Sequence, residues 1–376
     1  MEVYRTSAAL STPPQPSRLA IRMSEISNLA ADSTSRIFRD LGDPQALNSA
    51  GNEDRRAPLW DALEEAGLTR AWVPEALGGA GASLADGFEV LRVAGSFAVA
   101  VPLAETLLAG WLLAQAGLEV PPGALTVAPA RATDRLAIDD AGRVSGCARA
   151  VSFARDAAQV ALVARRDGRA VVALVERAQC GLEPGESQAG EPRDTLRFEA
   201  VPALALGGAL PGLDEDRLLA MGAAARAVQM SGALEAVLER TAAYAAERVA
   251  FGRPIAKFQA VQHALARLAS ETAAALAAAG SAADALDGGE AADESLLLEV
   301  AGAKIRAGEA AGAGAAIAHQ VHGAIGFSAE HVLHRYTQRL WAWRDDFGGE
   351  AEWAARLGRL LAARGAGALW PLIASR

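Results

Sequence analysis

Residues 244–263 read Tyr244-Ala-Ala-Glu-Arg-Val-Ala-Phe-Gly-Arg-Pro-Ile-Ala-Lys-Phe-Gln-Ala-Val-Gln-His263, and this stretch decides the architecture. A helical run ends at Arg248, Gly252 and Pro254 break it, and an apolar period restarts at Val261, Leu265, Leu268, Thr272 and Leu276. Polar side chains at the end of one helix and the start of the next can therefore converge on one ligand. A guanidinium offers a planar fork of donors that matches a pyrophosphate, and the amide of Gln259 both donates and accepts. The plain alternative is a helical hairpin in which Arg248 pairs with a nearby carboxylate.

Working outward, 376 residues exceed one ordinary domain, and 51% hydrophobic residues allow a sizeable core. A net charge of -9 offers no general attraction to nucleic acid or to an anionic membrane surface, so an anionic ligand must meet local positive charge. Cys147 and Cys180 are too few for a disulfide framework and lack metal-ligand spacing, which fits a reducing cytoplasm. Residues 1–22, with Pro13, Pro14 and Pro16 among serines and threonines and no apolar core of a secretory signal, read as a disordered tail. No run approaches the roughly 18 apolar residues that a membrane span requires. The alanine-rich windows 273–286 and 307–318 read as packed helices.

The chain changes its pattern twice. From Met23 to about Leu118 the signals are helical, with Ser24 as a candidate cap and Leu59, Leu63 and Ala66 on one face. Between residues 119 and 210, short apolar runs are separated by turn residues: 136–138, Val144, 159–164, 170–175 and 195–198, with Asp167-Gly168 as a tight hairpin turn. From residue 211 to 376 the helical period returns, interrupted at 252–254, 288–289 and 323–326. The expected organisation is a helical domain (23–118), a small β domain (119–210) and a helical bundle (211–376).

Three segments resemble the acyl-CoA dehydrogenase family. Residues 244–263 are similar to the segment that presents an arginine, an aromatic ring and a glutamine to FAD, here Arg248, Phe251 and Gln259. The loop Trp72-Val-Pro-Glu-Ala-Leu-Gly-Gly-Ala-Gly81 is similar to a turn of the amino-terminal helical domain. Gln320-Val-His-Gly-Ala-Ile-Gly-Phe327 looks like the family's glycine loop, in which Gln320 and Gly323 would receive the ADP part of FAD bound to the neighbouring subunit; Ala324 replaces one family glycine. The resemblance covers about residues 23–376 and implies a mostly α fold with a central β barrel or sandwich and a carboxy-terminal four-helix bundle through which subunits pair.

What the resemblance implies about chemistry is uneven. In the β domain, Ala150 stands at a family tryptophan and Ser152 at a family threonine, so a hydroxyl can meet the flavin edge but the aromatic shield is missing. The implied reaction is α,β-desaturation of an acyl-CoA thioester, with electrons passed to an electron-transfer flavoprotein. It needs a carboxylate base, yet ungapped matching places Phe347 and Gly222 at the family's two base positions. Nearby acids are Asp346, which a one-residue shift of the loop would bring to substrate, then Glu350 and Asp216, with Asp345 beside them; each can equally be a solvated surface acid. Arg335, Arg339 and Arg344 are candidates for holding coenzyme A or partner carboxylates. The pairs His319/His322 and His331/His334 have helical spacing but no completing acid or thiol, so no metal site is expected.

A cytoplasmic homo- or hetero-oligomer is the expected assembly, with neither nucleic acid nor membrane as partner. Three rivals stand beside the dehydrogenase: a base-lacking partner subunit of a hetero-oligomeric enzyme, a flavin monooxygenase or oxidase on the same scaffold, and a non-enzymatic helical interaction protein.

Overall fold

The computed structural model describes residues 18–45, 56–208, 212–288 and 293–374. Helix α1 (Arg18–Leu41) begins inside the stretch expected to be tail, because Leu19, Ala20, Ile21 and Arg22 continue the helix-forming run upstream; Ser24 therefore lies within the helix and caps nothing, and residues 1–17 lie outside those described. Helix α2 (Arg56–Glu65) buries Leu59 and Leu63, while Ala66 falls in the turn after it. In the loop that follows, a Cβ on Gly79 would lie 2.1 Å from the Val73 carbonyl oxygen, so only glycine fits, and the Trp72 indole donates to the Leu84 carbonyl at 3.1 Å. Ser83 and Asp86 form a capping box that starts α3 (Leu84–Gly95). Helix α4 (Leu103–Gln115) follows Pro102 and is buried on all sides from Leu103 to Leu113.

Seven strands come next: β1 (Leu125–Ala128), β2 (Arg135–Ile138), β3 (Arg143–Ser152), β4 (Gln159–Arg166), β5 (Arg169–Glu176), β6 (Gly181–Glu183) and β7 (Arg193–Gly208). The pairings β4–β2, β2–β3, β3–β7, β7–β5 and β5–β4 return to their starting strand, so the sheet closes into a barrel, with β1 beside β4 and β6 beside β7. Leu136, Val144, Val151, Val160, Leu162, Val175, Leu196 and Phe198 fill it. Arg166 pairs with Arg169 across a two-residue turn in which Asp167 and Gly168 take φ of 48° and 77°, as the Asp-Gly pair predicts. Strands β1 and β6 were not among the expected runs, since four and three residues are too short to show a period.

The remaining helices are α5 (Glu215–Glu247), α6 (Gln259–Asp287), α7 (Asp293–His322), α8 (Leu333–Asp345), α9 (Glu350–Arg364) and α10 (Leu369–Ala374). Their breaks fall at the glycines and proline read from the sequence. The period of α6 is shifted, however: Leu268, Thr272, Ala275, Ala279, Ala282 and Leu286 are buried, whereas Val261 and Leu265 are only half-buried. Between α5 and α6 a two-residue ladder, β8 (Val249–Ala250) with β9 (Arg253–Pro254), turns through Phe251 and Gly252 at φ of 53° and 81°. Among the described residues no helix is long and apolar enough to cross a membrane.

Candidate active site

The two positions that ungapped matching sets against the family's base, 222 and 347, meet in space. Gly222 lies on α5 and Phe347 on the loop between α8 and α9, and a Cβ on residue 222 would fall 2.4 Å from the Phe347 ring. Phe347 is buried at 4% exposure, with φ of 54°; the Trp353 indole holds its carbonyl at 3.0 Å. Neither residue can take a proton.

One turn beyond Gly222, Arg226 points to the same side of α5 and is 2% exposed. Its guanidinium gives Nη1 to Gln229 Oε1 at 2.6 Å, Nε to Asp346 Oδ2 at 3.0 Å, and Nη2 to the Glu105 carboxylate on α4. The same Nη2 lies 3.5 Å from Ser152 Oγ at the end of β3. The β3–β7 register sets Ser152 opposite Arg193, and Thr126 Oγ1 donates to the Ser152 carbonyl at 2.7 Å. Arg193 in turn lies 2.9 Å from Asp346 Oδ1, out of line for a hydrogen bond. Burial pushes the Glu105 carboxyl above its usual range, and the Arg226 charge opposes that rise. Lys304 on α7 is buried too; it donates to the carbonyls of Trp343 and Arg344 at 3.1 and 2.6 Å, and burial lowers its ammonium to about 8.

Asp346 is therefore gripped by two guanidiniums. Glu350, at the start of α9, accepts from Arg344 Nε at 2.6 Å and packs against Gly308, where a Cβ would lie 2.4 Å from its carboxylate. Asp216, with its side chain 77% exposed, pairs with Arg356 at 3.0 Å, and Asp345 is exposed. Of the three candidate arginines, Arg339 holds Glu191 at 2.8 Å, Arg344 holds Glu350, and Arg335 is buried beside Arg339. Sequence reasoning missed Arg226, Glu105, Arg193 and Lys304. The signal was present in two of them: an arginine within Met221-Gly-Ala-Ala-Ala-Arg-Ala-Val228 and a glutamate within Leu103-Ala-Glu-Thr-Leu-Leu108 are charges inside apolar helices, which must be paired when buried.

Trp353, whose indole holds the Phe347 carbonyl, also lines a cleft of about 530 Å³ together with Ala132, Arg135, Asp216, Ala220 and Arg359 among others.

The residues expected at a dinucleotide lie at the far end of α5, at the start of α6 and at the end of α7. Tyr244 stacks on His322 with ring centres 4.4 Å apart and donates to the His322 carbonyl at 3.2 Å, which ties the Phe251 bend to the turn at Gly323–Phe327. Arg248, the C-cap of α5, and Gln259, the first residue of α6, are exposed, as are Gln320 and Gly323. Phe251 is 95% and Phe327 70% exposed. A Cβ on Gly323 would meet nothing within 4 Å, so its backbone is open to a ligand. These donors and open amides fit the ADP part of FAD. The flavin-ring end fits poorly, because Ala150 brings no ring and Ser152 is reached by Arg226. The histidines have other partners: His319 Nε2 meets Thr337 Oγ1 at 3.0 Å and stacks on Phe327, and His331 Nδ1 accepts from the Leu333 amide at 3.1 Å.

Helices, closed barrel and helical bundle follow one another in the order expected of the acyl-CoA dehydrogenase fold. The family model for the acyl-CoA dehydrogenase C-terminal domain matches residues 215–344. Acyl-CoA dehydrogenase IpdE2 of Mycobacterium tuberculosis is 30% identical over 299 residues, 79% of this chain and 85% of that protein. Among solved structures, the Tcur3481-Tcur3483 steroid ACAD superposes with a TM-score of 0.81 at 28% identity, covering 91% of this chain and 99% of that one. The ChsE4-ChsE5 complex from Mycobacterium tuberculosis gives 0.80 at 25% identity, covering 90% and 97%. The chain belongs to the acyl-CoA dehydrogenase family.

Proposed function

We propose that this chain is the base-lacking subunit of a two-chain acyl-CoA dehydrogenase that desaturates an acyl-CoA thioester. The observation that carries the reading is the contact of Phe347 with Gly222: both places for a base are non-acidic, and the Phe347 ring fills the space that a side chain at position 222 would need. A homo-oligomer of such a chain would repeat the deficiency, so the base must come from a second chain of the same fold with an acid at one of these positions. Asp346 is a weak substitute, since its buried carboxylate is already held between Arg226 and Arg193. Two similar structures, Tcur3481-Tcur3483 and the ChsE4-ChsE5 complex, are each named for two chains, which is in keeping with this assembly.

In this reading Arg248, Phe251, Gln259, Gln320 and Gly323 hold the ADP part of an FAD whose ring lies in the partner. When bound, FAD supplies the hydride acceptor for the substrate β carbon. Arg248 neutralises the diphosphate, the open backbone at Gly323 lets it approach, and the bare rings of Phe251 and Phe327 are covered. Electrons would leave through an electron-transfer flavoprotein.

The test mixes this chain with an acid-bearing paralogue and follows the flavin spectrum anaerobically while an acyl-CoA is added. Bleaching is expected from the mixture and not from either chain alone. Stoichiometric bleaching by this chain by itself would overturn the proposal.

A further inference from the structure

A buried cluster of charges lies apart from the expected dinucleotide residues. Resting on the two-chain reading, we infer that Arg226, clamped by Glu105 and Asp346, is a built-in plug that closes this chain's own acyl site. Four elements surround the guanidinium: α4 through Glu105, α5 through Gln229, the barrel through Ser152, and the α8–α9 loop through Asp346. From the wall of the open cleft inward, a series of neighbouring groups leads to the guanidinium. Trp353 lines the cleft and bonds the Phe347 carbonyl, the Phe347 ring lies on Gly222, Arg226 stands 5.9 Å from the centre of that ring, and Arg226 reaches Ser152.

The network excludes a hydrocarbon chain in two ways. It occupies the volume between Phe347 and Ser152, and it cannot be displaced cheaply. Moving Arg226 aside would leave Glu105 a buried carboxylate without its cation and Asp346 with Arg193 alone, and an acyl chain has no donor to offer them. The Arg193 guanidinium pairs with Asp346, whereas Glu105 pairs with Arg226, so Arg193 does not replace it. An apolar group at position 226 would have left the same space to a ligand. The arginine gives it a stable occupant, and acyl-CoA bound in the assembly is thereby directed to the partner's site.

The experiment compares binding of coenzyme A and octanoyl-CoA to the full chain by calorimetry. In the wild type the acyl chain should add nothing, so the two ligands bind alike if they bind. In the variant Arg226→Ala/Glu105→Gln/Asp346→Asn, which removes the cation together with the charges it balances, octanoyl-CoA should bind at least about tenfold more tightly than coenzyme A, because buried methylenes then contribute. A wild type that prefers octanoyl-CoA as strongly, or a variant that melts cooperatively yet shows no preference, would overturn the inference. If the variant does not fold, a crystal of the wild type grown in excess octanoyl-CoA decides. Arg226 is expected between its two carboxylates, and acyl density in its place sinks the idea. Neither readout uses turnover, so a failed plug leaves the two-chain reading standing, and activity of the isolated chain would refute that reading without touching the binding result.

Discussion

Phe347 takes a left-handed backbone conformation, which costs a phenylalanine about 1 kcal/mol, and keeps it because its ring finds the bare face of Gly222 and its carbonyl the Trp353 indole. A small residue on one helix and a large one on a loop are thus two halves of one contact. Matching against the family named both positions, but it treated them as alternatives, since residues 222 and 347 are far apart in the chain. Arg226 was overlooked for the opposite reason. Its partners Glu105 and Asp346 lie 121 and 120 residues away, and no local spacing announces such a triad. Among the exposed residues, Arg248 has the most specific expected role. Arg248→Ala should weaken FAD retention by the assembled enzyme about tenfold or more, the worth of a charge-assisted forked contact. The flavin-to-protein absorbance ratio after gel filtration measures it, and an unaltered ratio removes Arg248 from the site.

At the scale of elements, the long helices were legible from their breaks and their faces were not. Gly252, Pro254 and Gly323 stop helices for local steric reasons, so the sequence alone placed those ends. Which face of α6 turns inward depends on α5 and α7, and the buried stripe runs through alanines that carry little hydrophobic signal. The crossing of α3 and α5 shows how tight such contacts are. A Cβ on Gly232 would lie 1.9 Å from the Arg92 carbonyl oxygen, and one on Gly95 would lie 2.3 Å from that of Gln229. Both obstacles are backbone and cannot rotate away. Gly232→Ala should therefore destabilise the protein by about 1–3 kcal/mol as the helices are forced apart, despite the better helix propensity of alanine. Thermal melting of the variant checks this, and an unshifted or raised midpoint would show that the two helices have room to move.

For the whole molecule, the buried titratable groups set a pH profile. Burial lowers the affinities of His319, His322 and His331 for protons below that of a free imidazole. The unfolded chain then takes up protons first, near pH 6.5, so stability present above that value is lost as pH falls through it. Lys304 acts in the same direction at the alkaline end: held at about 8 in the fold, it favours the unfolded, charged state below about pH 10. Unfolding free energy is expected to drop between about pH 7 and pH 5.5, by up to about 1.4 kcal/mol per pH unit for each histidine that titrates, which a falling melting temperature reports, and His322→Phe should flatten part of the drop. A profile without slope over that interval would mean that the imidazoles are protonated alike in both states.

The order of helices, strands and helices, the Asp-Gly hairpin, the bend at Phe251 and the glycine turn were settled by the chain on its own, because each depends on residues within a few positions of one another. Closure of the barrel, the choice of buried stripe on α6, the meeting of Phe347 with Gly222 and the clamping of Arg226 were decided only in three dimensions. The free energy of packing and of paired buried charge depends on which distant groups share a space, and linear spacing does not carry that information.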